Sequence, residues 1–376
     1  MTRQQHQQQQ RQHRTRRWRW WPSVCLCVLL SACQPTGPED LWHDYQQRLA
    51  RLAATEVPAD TVNITVQRYP RSRDLRQDVP DLRTGMRRYF GLAECDMMAL
   101  VSERNSSLGR LQTASLRFAY ELDFIQRSET CLAGERLADD EAFNLWLSEI
   151  YTLKRESLPA LYFNATLGSQ EMAGFFSTTA RPAETADLVA MTTLETALGR
   201  IARLGSQLRG DAPLPTNAGL LEQDIATLSR SDTGGSILQG LALATRELHR
   251  AAAMLEQVDT TSLCPRQRSS QQARYFQNVF IDVYGGQIQP WLSRLDQAAR
   301  QLQDTMQQLA VSLPADSPAF DAWHAAHFSD EAGLHHRFRT AMARHTLAWQ
   351  NLLAGCGLQP RSTEGGTGLD AAPERH

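Results

Sequence analysis

The segment LSRLDQAARQLQDTMQQLAVSL, residues 292–313, decides the fold. Leu292, Leu295, Ala299, Leu302, Met306, Leu309 and Leu313 recur at alternating steps of three and four, with polar residues between them, which is an apolar helical seam sustained over three heptads. Leu194, Ala197, Ile201, Leu204 and Leu208 repeat the spacing upstream, and so do Leu238, Leu241, Thr245, Leu248, Ala252 and Leu255. Such seams need apolar partners. Loops carrying Pro213, Pro215, Gly234, Gly235 and Pro265 let the helices fold back on one another. The pattern therefore predicts an all-α, multi-helix bundle of antiparallel helices with little or no β structure. Pro290, just before the third seam, is expected to kink or restart its helix.

The remaining chain reads the same way. Glu39 to Ala54 places Leu41, Trp42, Tyr45, Leu49 and Leu52 on one face, with two acids in the first turn. Val62 to Val66 alternates like a single extended segment without a strand partner. Asp96 to Thr130 reads as a helical hairpin broken near Gly109, and Asp139 and Asp140 open a helix reaching Glu156. Leu158 to Phe176 reads as a connection holding a short helix N-capped by Ser169, and Asp330 to Leu353 as the closing helix. The expected organisation is an N-terminal helical region over 39–180, a C-terminal bundle over 181–356 packed with it, and a disordered polar tail over 357–376.

Residues 1–38 carry an address. Six arginines and no acid precede an apolar run of about a dozen residues, too short to span a bilayer, which needs ~20. The run ends in Leu30-Ser31-Ala32-Cys33, which resembles the lipobox of bacterial lipoproteins. That resemblance implies a signal over 1–32 that is cleaved, a diacylglycerol and an acyl chain on Cys33, and a tether over 33–38. Gln34 is not the aspartate that retains many lipoproteins in the inner membrane, so the outer membrane, facing the periplasm, is the expected location. Val24, Leu26, Val28, Leu29 and Leu30 surround Cys25, Cys27 and Cys33 with no polar support, which argues against a metal there.

Loss of the six signal arginines takes the formal net charge from −2 to −8. Nucleic acid is excluded as a partner on that sign. Of the seven cysteines, four remain beyond the lipid site: Cys95, Cys131, Cys264 and Cys356. An even set in an exported chain implies two disulfides. Antiparallel arms of the 96–130 hairpin bring Cys95 to Cys131, leaving Cys264 to pair with Cys356.

Catalytic patterns are sparse. Gly234-Gly235-Ser236 lacks the second glycine and the strand of a nucleophile elbow, and Lys154, the single lysine, has no serine three residues before it. His324 and His327 share a helical face, and Glu331 and His335 follow a break at Ser329; these four are the candidate metal ligands, in a spacing unlike that of a metallohydrolase. Glu103, Arg104, Asn105 and Ser106 end a helix as a polar cluster, with Glu121 the expected ion partner of Arg104.

The run Ser102 to Gly109 between Cys95 and Cys131, together with Tyr120-Glu121, Leu161 to Thr166 and Cys264-Pro265, resembles the uncharacterised envelope lipoproteins of gammaproteobacteria grouped as domain-of-unknown-function family 3080. That resemblance spans most of the mature chain and implies a helical, periplasm-facing lipoprotein, with no reaction or ligand attached. The functional expectation is a non-enzymatic binding or scaffolding component of the envelope, held to the membrane by its lipid, without a cofactor, and with an envelope protein as the candidate partner. An envelope hydrolase or metal enzyme, or a carrier of a lipid or apolar ligand, are the alternatives.

Overall fold

The computed structural model describes residues 37–59, 62–82, 84–134, 140–209, 213–215, 219–313 and 317–359. The signal, Cys33 and the tail beyond Gln359 lie outside the described residues. Helix α1 (Pro38–Ala53) starts on a proline, whose missing N–H costs nothing in a first turn. It buries Trp42, Tyr45 and Leu49. Extended chain follows, and among the described residues there is no strand. Side chains take the place of a strand partner: Trp323 Nε1 donates to the Gln67 carbonyl and the Gln67 amide donates to His327 Nε2, both at 3.2 Å.

Helices α2 (Met98–Asn105), α3 (Ala114–Ala133) and α4 (Glu141–Ala165) come next. Asp140 caps α4, its carboxylate accepting from the Phe143 amide at 2.9 Å. The helix does not stop near Glu156 but continues through Pro159, because Leu158, Leu161, Tyr162 and Phe163 are all buried there. That packing outweighs the lost amide. Ser169 caps α5 (Gln170–Phe175) as its position suggests. Helices α6 (Thr185–Arg209), α7 (Gly219–Leu228) and α8 (Thr233–Glu256) lead to α9 (Gln271–Asn278), a π-helical segment (Val279–Ile288) and α10 (Gln289–Ser312). Helix α11 (Pro318–Phe328) and α12 (Leu334–Gly355) complete the bundle. The last helix begins at Leu334 rather than Asp330. A tight turn intervenes, in which a Cβ on Gly333 would lie 2.5 Å from the Ser329 carbonyl.

All three seams face the core, with Leu204, Leu208 and Leu313 partly buried at its edge. Helix α8 is buried on nearly every side, as a central helix must be. It is approached so closely by residue 177 that a Cβ on Gly235 would meet the Ser177 carbonyl at 2.2 Å. Helix directions are mixed. The α3 and α4 pair is antiparallel, joining Glu121 to Lys154 and Phe118 to Tyr162. The α6 and α10 pair is parallel: Trp291 bonds the Ala183 carbonyl at one end and Gly205 abuts Ser312 at the other. In the parallel α8 and α12 pair, Arg344 meets both His249 and Glu256, and Gly355 touches Thr260 beyond the end of α8.

Both expected disulfides are present, Cys95–Cys131 and Cys264–Cys356, with Cα separations of 5.4 and 5.1 Å. The first anchors a small separate core of Leu92, Met97, Val101, Phe124, Phe143, Trp146 and Leu147. Its geometry differs from the expected hairpin. The first arm, α2, is eight residues long, and α3 lies chiefly along α4.

Candidate functional site

Pro290 lacks the amide that an α-helix would place at its second position, and the ten residues before α10 widen into π turns. That widening sets Phe280 and Tyr284 on the α12 side of the helix. Their rings stack at 5.8 Å, Phe280 lies 5.1 Å from Trp349, and Tyr284 lies 4.7 Å from His345. Between the two elements opens a recess of about 340 Å³, within the size range of small-ligand sites. Phe280, Tyr284, Trp349 and Leu353 form its floor, and Gln289, Thr346, Gln350 and Gln359 its rim. Among the described residues no lining side chain is charged.

A polar chain crosses the core behind the floor. Trp349 Nε1 donates to Tyr45 Oη at 2.8 Å, and Tyr45 donates to His345 Nε2 at 2.8 Å. The proton of the neutral imidazole then sits on Nδ1, which is buried and has no hydrogen-bond partner among the described residues. Burial pushes the Tyr45 hydroxyl well above its ordinary value and holds His345 down to about 3. The spacing of α12 carried a signal: His345 shares the face of Ala341, Ala348, Trp349 and Leu352, where an apolar residue belongs.

The polar cluster at the end of α2 is a turn. Glu103, Asn105 and Ser106 are exposed and Arg104 is half-buried. Ser106 Oγ accepts from the Gly109 amide at 3.0 Å, and Arg104 donates to the Gly109 carbonyl at 2.7 Å. Glu121 is not the partner of Arg104. It is buried against Lys154, whose ammonium also lies 4.6 Å from the Phe124 ring centre. The longer side chain on the antiparallel neighbour α4 reaches it, while Arg104 is spent on its own turn.

The candidate metal ligands are not gathered. His327 donates through Nδ1 to the Trp323 carbonyl at 2.8 Å, accepts from Gln67 at Nε2, and is held by burial down to about 4. His335 is bonded by Gln303 at 2.7 Å and Asp296 at 2.8 Å, while Glu331 is exposed. His324 is partly buried among Phe320 and Phe328. Among the described residues no group of three His, Cys, Asp or Glu could hold a metal ion. Two pairings escaped the sequence reading altogether: His335 with Asp296, and Arg200 with the buried Asp224. Both join residues on different helices, so no spacing along the chain announces them.

These features define a class: an all-α, disulfide-stapled helical bundle with a neutral, aromatic-floored recess and no helix among the described residues long and apolar enough to cross a membrane. Over residues 42–360 the chain matches the family described as protein of unknown function (DUF3080), and it belongs to that family. No curated protein and no solved structure matches it.

Proposed function

We propose that this protein is a lipoprotein of the bacterial outer membrane, tethered through Cys33 and facing the periplasm, and that it serves as a non-enzymatic binding or scaffolding component of the envelope. The observation that carries the location is the use of cysteine. All four cysteines after Cys33 are paired, in loops of 36 and 92 residues, which suits an oxidising compartment. Cys33 follows the two small residues that a lipoprotein peptidase needs. Binding is favoured over catalysis by the lining of the recess, which among the described residues offers aromatic surface, three amides and the hydroxyls of Tyr284 and Thr346 but no acid or base beside them.

Fractionation tests the reading. The wild-type chain is expected in the outer-membrane fraction and Cys33→Ser in the soluble periplasm or uncleaved in the inner membrane. Equal distribution of the two chains contradicts it. For the binding role, cross-linking of envelopes should return a reproducible protein partner, and Gln350→Ala with Phe280→Ala should reduce its capture if the recess takes part.

A further inference from the structure

We propose that residues 86–117 form a surface that rests on an anionic phospholipid bilayer. Six of the thirteen exposed large apolar side chains among the described residues fall in this short stretch, namely Met86, Phe90, Met98, Leu108, Leu111 and Leu116. Leu108 and Leu111 are 81% and 82% exposed, the two highest values of that set. Leu92, Cys95, Met97 and Val101 from within the stretch share one small core with α3 and α4, so these exposed side chains are carried on one compact unit rather than scattered over the molecule.

The leucines are held out by construction. Ser106 and Arg104 close the turn on Gly109, where a Cβ would lie 2.2 Å from the Glu103 carbonyl. The Glu103 to Gly109 run thus acquires a purpose: it is a rigid turn that presents two leucines to solvent. Met86 and Phe90, four residues apart, share one face of the short helix Met86–Gly91. The Cys95–Cys131 bridge and its small core pin the whole stretch to α3 and α4.

Charge selects the occupant. Arg87, Arg88, Arg104, Arg110 and Arg117 lie in the stretch against Glu94, Asp96 and Glu103, a local excess of positive charge in a chain that is negative overall. None of these five arginines joins a salt bridge among the described residues, whereas Arg127, Arg200 and Arg344 each hold a carboxylate. Of the acids packed against the stretch from elsewhere, Glu222 accepts from the Ser115 hydroxyl and Glu121 is held by Lys154. Arg104 is committed to the Gly109 carbonyl and the Tyr120 ring, and Arg88 lies over the Trp146 ring, but none of the five holds a carboxylate. Apolar side chains among such arginines, with Arg87, Arg88 and Arg110 exposed, suit the interface of an anionic membrane, where the chains enter the acyl boundary and the exposed guanidinium groups meet phosphates. A protein partner bearing carboxylates would also suit the arginines; the bilayer is favoured because the tether keeps the body beside it. The location rests on the tethered reading: Pro38 is five residues after Cys33, at most about 18 Å of extended chain, so the body stays beside the bilayer.

The test uses the mature chain carrying Cys33→Ser, so that no lipid anchor contributes, in flotation with vesicles of phosphatidylglycerol and phosphatidylethanolamine or of phosphatidylcholine alone. Binding to the anionic vesicles is expected, weakened by added salt. The double variant Leu108→Ser, Leu111→Ser and the triple variant Arg87→Gln, Arg88→Gln, Arg110→Gln should each bind about tenfold less or weaker still. All substituted positions are exposed, and circular dichroism will verify the fold. Failure to float with anionic vesicles, or equal flotation of the variants, overturns the proposal, as does capture of a protein partner by this surface without flotation. Because Cys33 is absent from the assay, such a failure leaves the tethered reading standing, and failure of the fractionation experiment leaves the vesicle result standing.

Discussion

Acid should destabilise this fold through two buried histidines. His345 and His327 are 0% and 1% exposed, and burial holds them down to about 3 and about 4. In the unfolded chain both return to about 6.5. A folded value below the unfolded one means that stability is whole above about pH 6.5 and is lost as the pH falls from there toward the folded values. Between about pH 7 and pH 5 the unfolded chain takes up nearly one proton at each histidine and the folded chain almost none. That difference favours unfolding by roughly 2 kcal/mol per histidine, or about 4 kcal/mol for both. His324 shifts in the same direction and adds to the effect. Urea unfolding at a series of pH values measures it, with His345→Gln, His327→Gln and the double variant beside the wild type. Glutamine offers Tyr45 an acceptor but no titrating group. Each single variant should be less stable near neutrality yet lose about 2 kcal/mol less on acidification, and the double variant about 4. Carboxylates common to all four proteins cancel in the comparison. If wild type and double variant lose stability in parallel, the buried neutral histidines are not what the acid attacks.

Other perturbations follow from particular contacts. Removing Cys264–Cys356, whose partners are 92 residues apart, should cost roughly 4 to 5 kcal/mol, and Cys95–Cys131, at 36, slightly less, both read by thermal unfolding of the paired alanine variants. Glu121→Gln strands the Lys154 ammonium in a buried site and should cost about 3 kcal/mol or more, whereas Glu121→Leu with Lys154→Met should come close to wild type; equal losses for the two would show that the pair is not buried as described. Gly235→Ala drives a methyl group into the Ser177 carbonyl, so denaturant titration should show a loss of about 1 to 3 kcal/mol, while Gly174→Ala, with open space around it, should be nearly silent.

The helical class was legible because its signal is periodic. Leu292 through Leu309 are buried as their spacing demands, and both disulfides form as expected, although the long hairpin from which the first was argued is replaced by a short arm and the α3 and α4 pair. Features decided between elements were not legible. The helix that reads as reaching Glu156 continues through Pro159 to Ala165, because tertiary burial of Tyr162 and Phe163 outweighs the local signal. Pro290 announces an irregularity without saying that it takes the form of π turns, and so the recess above Phe280 and Tyr284 was invisible. The parallel course of α6 with α10 depends on long crossovers that no local pattern encodes. The pairing of Glu121 illustrates the same limit. Arg104, on the preceding helix, is the partner the sequence suggests, yet Lys154 reaches Glu121 across the α3 and α4 interface.

The central claim, that Cys33 ties this bundle to a membrane, is tested most directly by mass spectrometry of the N-terminal peptide of the protein purified from envelopes. The account predicts a mature chain starting at Cys33 and carrying a thioether-linked diacylglycerol with an amide-linked acyl chain. A chain that retains residues before Cys33, or one that starts there with a free thiol, would contradict it.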